Sequence, residues 1–237
     1  MALQRGTRVL AGVTVPDTPL INKALAYARE YMDDQGYKHV VRSWLTGQAI
    51  IAHLPSSAQQ SIDVELFAIS TILHDLGWST SPDVTSADKC FEVDGANAAR
   101  DFIIREAPAS EWDKHRIQLL WDAIALHTNP LIAAHKEQEV LLAHAGISTE
   151  LLGIEVNQKM LGKDLIGITP DEFNGIVKEF PKDGLKGYII DVMCGLCKRK
   201  PETTYMSFVG GFGEKYLEGY SCKGKQVVDL MEAFLSD

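Results

Sequence analysis

Ile62-Asp63-Val64-Glu65-Leu66-Phe67-Ala68-Ile69-Ser70-Thr71-Ile72-Leu73-His74-Asp75-Leu76-Gly77 is the stretch on which the fold turns. From Ile62 to Leu76 it is apolar nearly all round, with Leu66, Phe67, Ile69, Ile72, Leu73 and Leu76 leaving no wet face, as in a helix buried at the centre of a bundle. Gly77 reads as the helix stop, and a polar loop runs on to Cys90. His74 and Asp75 stand at the end of this helix. A buried carboxylate without a partner is costly, so Asp75 needs a cation or a set of donors, and a metal ion would supply the cation. Neighbouring helical positions point about 100° apart, so both side chains can reach one ion lying off the helix end. A capping or salt-bridged pair is the plainer reading of the same dipeptide.

Outward from this segment the periodicity stays helical. Thr18-Pro19 is an N-cap with proline at the first helical position, ahead of Leu20, Ala24, Ala28, Tyr31 and Met32. Further helices are expected over about Tyr37–Leu54, Gly95–Glu106, Glu111–His127 with Ser110 as cap, Glu137–Leu152, Tyr188–Arg199 and Gln226–Leu235. Another starts at the capping box Thr169-Pro170-Asp171-Glu172. A strand signal is brief, at Arg8–Val15. The expectation is an all-α bundle of roughly eight to ten helices in a single domain, residues 1–237 with a core over about 20–205.

Composition agrees with a globular chain: 237 residues, 46% hydrophobic and 23% charged. With 23 Lys+Arg against 32 Asp+Glu the net charge is -9, a surface that repels nucleic acid and anionic lipid. No run approaches the roughly 18 apolar residues of a membrane span, and Met1–Gly6 leads into no apolar leader core. A cytoplasmic protein acting on a small neutral or cationic molecule is expected. Cys90, Cys194, Cys197 and Cys222 are too few for a secreted disulfide scaffold, and Cys194-Gly195-Leu196-Cys197 reads as buried apolar thiols within a helix.

Two more histidines sit at suggestive places. His39 lies on the helix of Trp44, and His127 closes the apolar run Leu119–Leu126. The ordered set resembles the HD-domain superfamily of metal-dependent hydrolases. It comprises His39-Val40-Val41-Arg42-Ser43-Trp44, Leu73-His74-Asp75-Leu76-Gly77, Phe91-Glu92-Val93-Asp94-Gly95-Ala96, Ala123-Ile124-Ala125-Leu126-His127 and Ala145–Gly153. Within the superfamily it is similar to the cyanamide-hydratase-like branch. The resemblance implies an HD-type helical bundle and one divalent metal, zinc first and iron second, held by His39, His74, Asp75 and a later carboxylate. That last position falls on Glu150, one methylene longer than the family's Asp, with Asp191 as the fallback.

The resemblance implies hydration of a small nitrile-type carbon, such as that of cyanamide, by hydroxide on the metal. His127 would be the acid/base, since histidine titrates near neutrality, and Asp94 its orienter. Trp44, Trp78 and Phe91 flank the motifs and would wall the pocket. His144 lies six residues before Glu150, about 120° round the helix, and is not expected at the ion. His53, His115 and His135 read as surface groups. Whether Lys89 or Arg100 lines the pocket stays open. The alternatives are an HD-type nucleotide phosphohydrolase, with no Lys or Arg near Gly77-Trp78-Ser79 until Lys89 to hold phosphate, a di-iron oxygenase of the same superfamily, and a metal-free binding protein. A second copy of the chain, in a homo-oligomer, is the one macromolecular partner the expectation admits.

Overall fold

The computed structural model describes residues 6–235; the stretch Met1–Arg5, read above as carrying no leader, lies outside them. The strand signal becomes a hairpin of β1 (Thr7–Leu10) and β2 (Val13–Pro16), antiparallel with Thr7 opposite Pro16. Thirteen α-helices follow among the described residues: α1 (Pro19–Tyr31), α2 (Asp34–Ala52), α3 (Ser56–Ser61), α4 (Val64–Leu73), α5 (Phe91–Glu106), α6 (Lys114–Ala125), α7 (Pro130–Ala133), α8 (Gln138–Leu152), α9 (Ile154–Leu161), α10 (Pro170–Glu179), α11 (Leu185–Arg199), α12 (Phe208–Tyr216) and α13 (Val227–Phe234). The fold is helical, as expected. None of the helices among the described residues is long and apolar enough to cross a membrane.

At the centre, α4 is buried at every position from Glu65 to Leu73. Asp63 caps it by accepting the Leu66 N–H at 3.1 Å. Helices α1, α2, α6 and α8 pack around it. Helices α2 and α8 cross backbone to backbone, because a Cβ added to Gly146 would stand 2.8 Å from the Gly47 Cα. Two glycines thus bring the helices together closely enough for His39 of α2 to meet Glu150 of α8.

Several boundaries differ from the expectation. Helix α4 ends at Leu73 rather than at Gly77, since the His74 ring donates to the Thr71 carbonyl at 2.9 Å and a 3-10 turn, Leu76–Trp78, takes over. Asp113, not Ser110, caps α6 by accepting the Arg116 N–H at 2.8 Å. Helix α5 begins at Phe91, before Gly95, and α11 begins at Leu185, before Tyr188. The short helices α3, α7, α9 and α12 add to the expected count; α12 carries three glycines in nine residues, which hides it from propensity.

Gly77 serves proximity rather than termination: a Cβ there would fall 2.0 Å from the Phe91 carbonyl oxygen. Gly77→Ala is therefore expected to destabilise the protein by about 1–3 kcal/mol, as overpacking does, and to move the turn that carries Trp78. Urea unfolding checks this; an unchanged midpoint contradicts it.

Candidate metal centre

Two helix C-termini deliver the central groups. His74 is the C-cap of α4, and His127 follows the end of α6, its Nδ1–H donating to the Ile124 carbonyl at 2.6 Å. Carbonyl dipoles at a helix C-terminus favour a cation. His39 comes from α2, in a run buried without interruption from His39 to Ile51.

The three rings converge on one carboxylate. Asp75 Oδ2 lies 2.9 Å from His74 Nε2 and 3.2 Å from His39 Nε2, while Oδ1 lies 3.5 Å from His127 Nε2. The Nε2 atoms of His39 and His74 are 3.3 Å apart. His39, His74 and Asp75 can each offer one ligand atom to the same ion. Exposure is 0% for His39 and Asp75, 1% for His74 and 5% for His127. Close as these approaches are, neither Asp75 oxygen is aligned with a hydrogen-bond donor. The opposite ring nitrogens are engaged with oxygens: His39 Nδ1 with Glu150, His74 Nδ1 with the Thr71 carbonyl and His127 Nδ1 with the Ile124 carbonyl. With each Nδ1 engaged by an oxygen, the Nε2 atoms are the ones that face Asp75, and these are the nitrogens an ion would take once their protons have left. Imidazole nitrogens and an undonated buried carboxylate fit a divalent cation in type and arrangement.

Glu150 stands behind the cluster rather than in it. Its Oε2 is 2.8 Å from His39 Nδ1, and its Oε1 is taken by Arg42 Nε and by Lys182 Nζ at 3.2 Å. This corrects the expectation of Glu150 as a ligand: both oxygens are already engaged on the far side of the His39 ring. It orients the ring instead. Burial alone would raise Glu150, but His39, Arg42 and Lys182 outweigh it and hold the carboxyl at about 2. Burial lowers His39, yet Glu150 and then Asp75 keep it at about 9. His74 is pushed down by burial, while Asp75, which burial would raise, is held well below the usual range by His74, His127 and His39. His127 is raised because Asp75 outweighs its burial.

Asp94 does not reach His127. Its carboxylate accepts the Ser86 N–H, the Ser86 hydroxyl and Lys200 Nζ at 3.0, 2.7 and 2.6 Å, so it fixes the loop after the cluster to the end of α11. Nearer His127 is Glu92, which accepts the Thr128 hydroxyl at 3.0 Å and raises the His127 pKa by its charge. Trp78 stacks on His39 with centroids 5.4 Å apart, and Phe91 sets its edge to His127 at 5.8 Å. Trp44 joins none of these ring contacts and is fully buried in the core. Asp191, the fallback ligand, is exposed on α11. Lys89 is exposed and paired with Asp88, and Arg100 lies over Trp121, so neither is at the centre.

His53, His115 and His135 lie at or near the surface. His144 is buried instead: its Nδ1 donates to the His127 carbonyl at 2.7 Å, and its Nε2 has no partner. Helical angle relative to Glu150 could not reveal this, since Glu150 itself faces away from the ion. The four cysteines are unpaired; Cys194 and Cys197 lie against α12 carbonyls.

A family model, HD domain, matches residues 36–156, which hold His39, His74, Asp75, His127 and Glu150. No curated protein matches the chain.

Because the Glu150 pKa is depressed from 4.5 to about 2, its ionised form is favoured in the folded state. Its contribution, on the order of 3 kcal/mol, is complete above the unfolded value and is lost as pH falls through the folded one. In the metal-free protein Glu150→Gln is expected to flatten the acid limb of stability, and it should weaken zinc affinity roughly 10- to 100-fold. Urea unfolding across pH 7 to about 3, with competitive zinc titration, checks both; unchanged slope and affinity contradict the orienting role.

Proposed function

The chain belongs to the HD-domain family, whose members are typically metal-dependent hydrolases, and from that premise we propose that it is a hydratase adding water to a small nitrile-type carbon, such as that of cyanamide, to give urea. His39, His74 and Asp75 would hold the divalent ion, zinc before iron, since imidazole suits both and the thiols lie elsewhere. Once bound, the ion supplies Lewis acidity and brings the pKa of a water towards neutrality.

The other groups belong to the chain. His127 keeps Nδ1–H on the Ile124 carbonyl, leaving Nε2 beside Asp75 to take the proton that water loses and return it to the nitrile nitrogen. Addition then balances: oxygen bonds to carbon as one C–N π bond breaks, one proton reaches the nitrile nitrogen, and the isourea so formed passes its remaining O–H proton to that nitrogen to become urea. Trp78 and Phe91 exclude bulk water. Glu150 holds the His39 ring through Nδ1.

The observation that carries the small neutral substrate is the pairing of the buried cations. Arg42 and Lys182 are committed to Glu150, and Lys200 to Asp94, so they are not free to clamp a phosphate. The near-complete burial of the four central groups points the same way. Nucleotide phosphohydrolysis is the second reading, resting on the family alone.

The zinc-loaded protein is expected to convert cyanamide to urea and to release no phosphate from a nucleotide panel; the reverse result supports the second reading. His74→Ala should lose the bound ion, as read by metal analysis. His127→Ala should keep it while turnover falls roughly 10²- to 10⁴-fold. A wild-type protein that takes up no ion would favour a metal-free binding role.

A further inference from the structure

The cluster is shut, and the rings that shut it come partly from beyond residue 156, where the family match ends. Phe91, 2% exposed, meets His127 on one side and the ring of Phe208 on the other, with centroids 6.2 Å apart at 78°. Phe208 is 47% exposed, so it is the outermost ring of the series that leads inward through Phe91 to His127. Tyr188 of α11 closes a second side against Trp78 at 6.1 Å.

The helix carrying Phe208 is weakly built. Ser207, its N-cap, makes no capping bond with its side chain, and Phe208 is the next residue. Of the glycines in α12, Gly210 and Gly213 are demanded by packing, since a Cβ would fall 2.7 Å from the Thr204 carbonyl oxygen and 2.4 Å from the Tyr220 ring. At Gly211 a Cβ would meet nothing within 4 Å. That glycine lowers helix stability without a steric need. The helix is anchored on the other face, where Val209 is buried and its carbonyl takes the Cys197 thiol at 3.4 Å.

We propose that Phe208 is a specificity-determining gate: the first turn of α12 must lift its ring off Phe91 for a ligand to reach the cluster. The ring series it closes, Phe208–Phe91–His127, is aromatic, and the charge beside it is the carboxylate of Glu92, so small uncharged molecules pass and anionic nucleotides do not. The inference rests on the proposed reading for the claim that a ligand binds at this cluster; the gate itself has an independent readout.

Acrylamide, a small neutral quencher, reports access to Trp78, and a chelator reports access to bound zinc. Phe208→Ala is expected to raise acrylamide quenching at least about threefold by removing the outer ring, and the increase should vanish when Trp78→Phe is added. The same variant should release zinc to the chelator faster. Gly211→Ala should slow release about fivefold, the factor that its ~1 kcal/mol of helix propensity converts to. Phe208→Leu, bulkier than Ala, should fall between wild type and Phe208→Ala. A folded Phe208→Ala protein with unchanged quenching and release overturns the gate, as does a Phe208 change that lowers the melting temperature alone. If the wild type holds no zinc, the metal reading fails while the quenching of Trp78 still decides the gate.

Discussion

A carboxylate with no solvent exposure and no aligned donor is the constraint around which this protein is arranged. Asp75 faces three imidazole Nε2 atoms whose opposite nitrogens are already engaged with oxygens. In an apolar interior such a set is costly unless a cation joins it. Much of the surrounding structure follows from meeting that need: two helix C-termini directed at the spot, a glycine crossing that brings α2 against α8, and a second carboxylate behind His39.

The electrostatic design has two layers. Near the cluster the donors are left open; behind it they are closed by compensated charge. Glu150 answers to Arg42 and Lys182 as well as to His39, and its own charge is thereby neutralised without consuming the Asp75 oxygens. Asp94 and Lys200 do comparable structural work farther out, tying α5 and the loop before it to the end of α11. Buried ion pairs of this sort contribute little net stability against apolar replacements, yet removing one partner is severe. Their value here lies in fixing where side chains point.

What sequence could reveal followed the strength of local signals. The unbroken apolar face of α4, the Thr18-Pro19 start and the Thr169–Glu172 capping box are each visible within a few residues, and the structure has them. His39, His74 and Asp75 were legible as a group through their order. The failures share one cause, long-range partnership. Nothing local tells a carboxylate that would bind an ion from one that backs a ligand's other nitrogen, and only the structure puts Glu150 behind His39, on Nδ1. Asp94 finds Lys200 across 106 residues, and Trp44 is buried in the core on α2 while Trp78 meets His39 from the 3-10 turn after α4. The rings of Tyr188 and Phe208 come from a segment outside the matched domain, and the glycines of α12 hid that helix altogether.

X-ray absorption at the zinc edge on the reconstituted protein tests the central claim most directly. The account predicts one ion with a first shell of nitrogen and oxygen only, at about 2.0–2.2 Å, and with imidazole scattering beyond it. A shell containing sulfur at about 2.3 Å would place the ion at the thiols of Cys194 and Cys197 instead, and contradict it.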